Sequence, residues 1–122
     1  MNYDEFNDFC KSLKATNHVV QWGNSHVWKV DTKVFAVGGW SKENKPAFTF
    51  KTSEQNYYFL CEKDGYRPAP YLASRGMKWI QQYLGTEAED EELKYYIAES
   101  YRIVSLGLSK KKQIELGLNQ GV

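Results

Sequence analysis

Between Tyr66 and Gln81 the chain reads Tyr-Arg-Pro-Ala-Pro-Tyr-Leu-Ala-Ser-Arg-Gly-Met-Lys-Trp-Ile-Gln. Three cations, Arg67, Arg75 and Lys78, alternate there with aromatic side chains around a stiff proline-containing loop. Guanidinium and ammonium groups hold phosphates, and Tyr and Trp faces stack on bases, so the pattern suits nucleic acid. It equally suits a structural role, with Tyr71 and Trp79 in a core and the prolines shaping a crossover. Lys33, Lys42 and Lys45 fall at or beside turn-forming stretches. Loop lysines of that kind can reach a phosphate backbone without reading bases.

Other chemistry finds less support. His18 and His26 are the two histidines. Neighbouring strands could bring them together, but zinc needs three or four ligands and no carboxylates stand nearby in sequence. No metal is expected. With Tyr71 and Arg75 the same histidines could instead ring a small-molecule pocket. Cys10 and Cys61 sit in apolar stretches without a CxxC pattern, which reads as two buried, reduced thiols. The acidic run Glu87, Glu89, Asp90, Glu91, Glu92 would suit a hard cation. A helix N-terminus, which favours carboxylates electrostatically, explains it more simply. Phosphate-loop, dinucleotide, esterase-elbow and zinc-protease motifs are absent from the sequence, so neither catalytic residues nor a cofactor are expected.

Sixteen Lys and Arg against fifteen Asp and Glu leave a net charge of +1, whereas a dedicated nucleic-acid binder is usually strongly basic. The total hides an uneven distribution. Residues 85–100 hold six carboxylates and one cation, and the remainder of the chain is correspondingly basic. Local patches, not the sum, set phosphate affinity.

The elements that must position these groups follow from periodicity. Phe6, Phe9, Cys10 and Leu13 make one helical stripe over residues 2–14, with Asn2 or Asp4 as cap. Residues 18–51 are rich in Val, Trp and Phe and broken by turns, which predicts four strands in an antiparallel meander. Asp31-Thr32 would link the second and third, although Thr suits a positive-φ turn poorly. Gly38-Gly39 suggests a bulge or a close backbone approach. Thr52-Ser53-Glu54-Gln55 predicts a helix to about Lys63. Pro68 and Pro70 argue against regular structure from Tyr66 to Tyr71. A fifth strand is predicted over residues 77–83. The Thr86–Glu89 capping box starts a helix carrying Leu93, Ile97, Tyr101, Val104 and Leu108 on one stripe, and a polar tail follows from about residue 109. The expected fold class is therefore α+β in a single domain over residues 1–122: about five antiparallel strands, in the order α-β-β-β-β-α-β-α, with helices on one face and the other face open to solvent.

Several segments together resemble the MmcQ/YjbR family, described as DNA-binding proteins with a CyaY-like fold and a double-wing motif. They are His18–Gly23, Val27–Val30, Lys33–Trp40, Phe48–Lys51, Arg67–Ala73, Lys78-Trp79, Asp90–Leu93, Ser100-Tyr101 and Gly107–Lys111. The likeness covers about residues 3–118 and departs at Asp31-Thr32, where the family often has Gly-Gly. It implies a DNA partner, with the hairpin loops as wings. It implies no active site. CyaY-like proteins also bind iron through an acidic ridge on the first helix and strand, but here Asp4, Glu5 and Asp8 are mixed with Lys11 and Lys14, and the first strand has no carboxylate.

The combined expectation is a non-catalytic, cytoplasmic, monomeric DNA-binding protein. Lys33, Lys42 and Lys45 would contact phosphates, and Arg67, Arg75 and Lys78 would form a second patch. A protein-interaction module using the open sheet face, and a small-molecule binder or enzyme around His18, His26 and Tyr71, are the alternatives. The acidic N-terminus lacks a signal peptide's apolar core, which is the basis for expecting the cytoplasm.

Overall fold

The computed structural model describes residues 1–72, 76–84 and 89–121. Its elements in chain order are α1 (Tyr3–Ser12), β1 (Thr16–Gln21), β2 (Ser25–Val30), β3 (Lys33–Gly38), β4 (Phe48–Lys51), α2 (Glu54–Cys61), β5 (Tyr66–Pro68), β6 (Trp79–Gln82), α3 (Asp90–Ser105) and α4 (Lys110–Leu116). The strands form one antiparallel sheet in the order β1-β2-β3-β4-β6-β5. No described helix is long and apolar enough to cross a membrane.

Local chemistry accounts for the helix starts. Asn2 and Glu5 form a reciprocal capping box on α1, with each side chain bonded to the other's backbone N–H. Ser53, not Thr52, caps α2, accepting from Asn56 N. At α3 the residue before the helix is Glu89, whose side chain makes no capping bond, and the predicted Thr86 cap lies outside the described residues.

One face of the sheet carries the main core. Phe48 and Phe50 point there together, as their spacing predicts, beside Trp28, Val30, Phe35 and Ile80. Phe6 and Cys10 of α1, Leu60 of α2, and Leu93, Ile97 and Val104 of α3 cover them. Phe35 reaches this face because β3 is bulged. Trp28 pairs with Ala36, but Lys29 pairs with Val34, so Phe35 is the extra residue. A bulge leaves a carbonyl outside the ladder, and a buried carbonyl must find a donor. The Ser100 hydroxyl of α3 donates to Phe35 O at 2.6 Å and accepts from Lys51 N at 2.9 Å. Ser100 thereby pins α3 to β3 and β4 at once.

Three expectations need correction. Residues 66–68 are a sixth strand: β5 lies at the sheet edge and Pro68 is its last residue, so the proline's missing N–H interrupts no interior ladder. The tail is not a tail. Residues 110–116 form α4, capped by Ser109 and closed by Gly117 at φ 69°. Leu108 and Leu118 on either side enter the core, and Gln113 Nε2 donates to Leu108 O at 2.8 Å. The second sheet face is not open either. A row across it, Val27, Val37, Thr49 and Gln81, is fully buried. The 39–46 segment lies over that row, held by Gln81 Nε2 donating to Trp40 O at 3.0 Å. The turn at Asp31-Thr32 is two residues long, and only Asp31 takes a left-handed φ, 54°. Thr32 is spared the conformation it suits poorly.

Ser100→Ala should leave the bulge carbonyl and Lys51 N–H without their partner. A loss of about 2–4 kcal/mol is expected, since each orphaned buried group costs about 1–3 kcal/mol, and urea denaturation would register it. Both cysteines are free, Cys10 buried and Cys61 partly buried against the core. Burial pushes the Cys10 thiol pKa up. A disulfide reagent should therefore label Cys61 first and reach Cys10 only on unfolding; equal labelling rates would contradict this placement.

Candidate functional site

The five described candidate cations do not form one surface. Lys33 opens β3, while Lys42 and Lys45 follow its other end. Five residue steps at about 3.3 Å set the two ends roughly 17 Å apart. The Lys33 side chain runs past Gly107 beyond the end of α3. Lys112 of α4 lies near it, 3.8 Å from the Asp31 carboxylate on the same hairpin turn. Arg67 is committed elsewhere: its guanidinium donates to both Glu43 carboxylate oxygens, at 3.0 and 2.8 Å, and to Gln81 Oε1 at 2.9 Å. It also stacks on Tyr83, 4.3 Å from the ring centroid. That pairing holds the Glu43 carboxyl below its ordinary pKa. Lys78 lies over the rings of Tyr57 and Tyr58. Arg75 lies outside the described residues. Among the described candidates, Lys42 and Lys45 alone stand together on one loop, both exposed.

That loop leads to a cleft among whose walls Tyr71 alone is a candidate from the sequence. Trp22, Trp40, Tyr71 and Leu72 line an open cleft of about 510 Å³. A second hollow of about 440 Å³ shares its three aromatics and continues to Asn24, His26 and Ser41. The rings come from three separate connections: β1–β2, β3–β4 and the crossover after β5. Trp22 and Trp40 are tilted 32° with centroids 5.5 Å apart, and Tyr71 stands edge-on to Trp40 at 5.7 Å. Trp22 is 51% exposed and Tyr71 72%. All three backbones sit in the left-handed region, at φ 54°, 59° and 69°. A bulky residue at positive φ is a genuine outlier and costs about 1–3 kcal/mol. Seven described non-glycine residues have positive φ, and the three aromatic ones all wall this cleft. Gly39 supports it from behind: at φ 147° it packs so tightly that a Cβ would fall 2.8 Å from that of Ser25.

Electrostatically the cleft admits negative charge. No Asp or Glu is among the described residues lining either hollow. Glu43, the nearest carboxylate along the loop, is neutralised by Arg67.

His18 and His26 do meet. Their rings stack at 14° with 5.3 Å between centroids, and His18 Nε2 lies 3.1 Å from His26 Nδ1. Trp28 Nε1 donates to Asn7 Oδ1 at 2.9 Å, which orients the Asn7 amide. Its Nδ2 then faces His26 Nδ1 at 3.3 Å. The oriented Asn7 amide presents an N–H to His26 Nδ1, whose single lone pair then accepts it, and His18 Nε2 lies close by as a competitor for the same lone pair. Among the described residues no group of three His, Cys, Asp or Glu side chains is placed to hold a metal ion. His26 and Tyr71 share the second hollow, whereas His18 lines a different depression with Asn7 and Trp28.

Desolvation, then the charge of His26, lowers the His18 pKa. The folded state thus resists a proton that the unfolded chain binds near pH 6.5. Stability linked to His18 should be intact above that value and decline as pH falls below it. Denaturation midpoints between pH 8 and pH 5 should show the decline, and His18→Asn should flatten it; an equal decline in the variant would remove His18 as its source.

The model of the family described as YjbR matches residues 11–103. No curated protein matches the chain. Among solved structures, a Deinococcus radiodurans protein with the DUF419 domain superposes with a TM-score of 0.83 at 19% identity, covering 99% of this chain and 91% of that one. A Pseudomonas syringae protein gives 0.70 at 18% identity, covering 85% and 99%. At such identities the likeness establishes the fold alone.

Proposed function

The chain belongs to the YjbR family, and on that premise we propose that it is a non-catalytic nucleic-acid-binding module that grips phosphates through the 39–46 loop. Lys42 and Lys45 supply the charge. The observation that carries the reading is their placement: two exposed lysines on the loop that bears Trp40, beside a cleft whose described lining has no carboxylate. Phosphate contacts position a strand and carry no sequence information, so affinity should be modest and depend little on sequence. Lys33 belongs to the far end of the sheet and takes no part in this surface. The alternative of protein docking on a bare sheet face is weakened by the burial of Val27, Val37, Thr49 and Gln81.

Salt titrations with single-stranded and duplex DNA test the reading. Binding should weaken as salt rises, because each neutralised phosphate releases counterions. The double substitution Lys42→Ala and Lys45→Ala should flatten the log–log salt slope by up to about 1.4 on a single strand and about 1.8 on duplex, at roughly 0.7 and 0.9 per phosphate. Lys33→Ala should leave it unchanged. Failure to bind any nucleic acid at low salt, or an unaltered slope in the double variant, would sink the proposal.

A further inference from the structure

Resting on that nucleic-acid reading, we propose that the Trp22–Trp40–Tyr71 cleft seats an unpaired base, so that the preferred partner is a single strand. Three large aromatics held at positive φ would relax if replaced by residues that tolerate that region, so their presence is not explained by backbone stability. Core packing does not explain it either, since Trp22 and Tyr71 leave more than half their surface in solvent. What the arrangement does provide is exposed ring faces at the mouth of one cleft.

Geometry limits the guest. Trp22 and Trp40 centroids are 5.5 Å apart, so the two rings already touch and nothing flat fits between them. The guest lies instead on an outer face, on Trp22 or Tyr71. A base in a duplex has both of its faces occupied by its neighbours, while an unpaired base offers a free one. The cleft's charge selects further. A cationic peptide would need carboxylates, which the described lining lacks, whereas Lys42 and Lys45 suit the phosphates flanking a stacked base. Asn24, His26 and Ser41 in the adjoining hollow offer hydrogen bonds to a base edge. Stacking accepts any base, in keeping with weak sequence dependence.

The test compares three probes on the full chain at one low salt concentration: a thymidine 12-mer, a 12-mer of abasic sites with the same phosphates, and a 12-base-pair duplex. Fluorescence anisotropy reads the affinity. The thymidine strand should bind about tenfold or more tightly than the abasic strand, and more tightly than the duplex, and should quench tryptophan emission. The double variant Trp22→Asn with Tyr71→Asn should lower thymidine-strand affinity about fivefold or more while leaving abasic-strand affinity unchanged, and the two single variants identify which ring is the seat. Asn tolerates the left-handed region, so none of these variants should be less stable than the parent. Equal binding of thymidine and abasic strands, or of duplex and single strand, would overturn the base-seating proposal while leaving phosphate binding in place. A double variant that binds the thymidine strand as the parent does would overturn it too. No binding of any probe would overturn both readings.

Discussion

The bulge at Phe35 is the constraint on which the rest of the sheet depends. One extra residue in β3 breaks the alternation, turns Phe35 into the main core beside Ala36, and leaves a carbonyl that the ladder cannot satisfy. Ser100 satisfies it from the middle of α3. A serine in a helix interior is mediocre for helix formation, but here its hydroxyl is spanned between Phe35 O and Lys51 N, two strands at once. Past the bulge, the remaining residues of β3 have their faces assigned: Val37 to the second face and Gly38 against Phe6 of α1. Beyond the strand, Gly39 N donating to Ala47 O and Gln81 Nε2 donating to Trp40 O hold Trp40 where it stands.

Much of this was legible in the residues. The Phe48/Phe50 alternation, the α1 stripe and the stripe of α3 each named the face that the structure buries. What was not legible had physical reasons. Lys33 to Val37 reads as one strand of a hairpin, with nothing in its own residues to mark a bulge, and the partner of the bulge carbonyl is a serine 65 residues away. The α4 segment opens with Lys110, Lys111 and Lys112, the wrong charge for a helix N-terminus. It forms because Ser109 caps it, Gln113 bonds back to the chain before it, and Leu108 and Leu118 dock. Pro68 argues against a strand in general, but an edge position removes the objection.

The cleft illustrates the same limit at the level of the site. Trp22, Trp40 and Tyr71 are separated in sequence, and bulky aromatics are not expected at positive φ. The available signal was their company: Trp22 precedes Gly23, Trp40 follows Gly39 and Tyr71 follows Pro70, each a mark of a tight turn. Charge was the less reliable guide. Arg67 looked available for phosphate, yet Glu43, 24 residues earlier, takes both of its terminal nitrogens. Two residues that each read as surface charge turned out to be a fastening.

That fastening joins two others. The 39–46 segment is tied to β2 where Gly39 packs on Ser25, to β6 where Gln81 holds Trp40 O, and to β5 where Arg67 holds Glu43. Long polar loops ordinarily sample many shapes, and a partner that binds one must first give up part of its binding free energy to order it. Here the ordering is completed when the chain folds. The entropy penalty of ordering this loop therefore falls on the folding reaction and is not left for a later encounter.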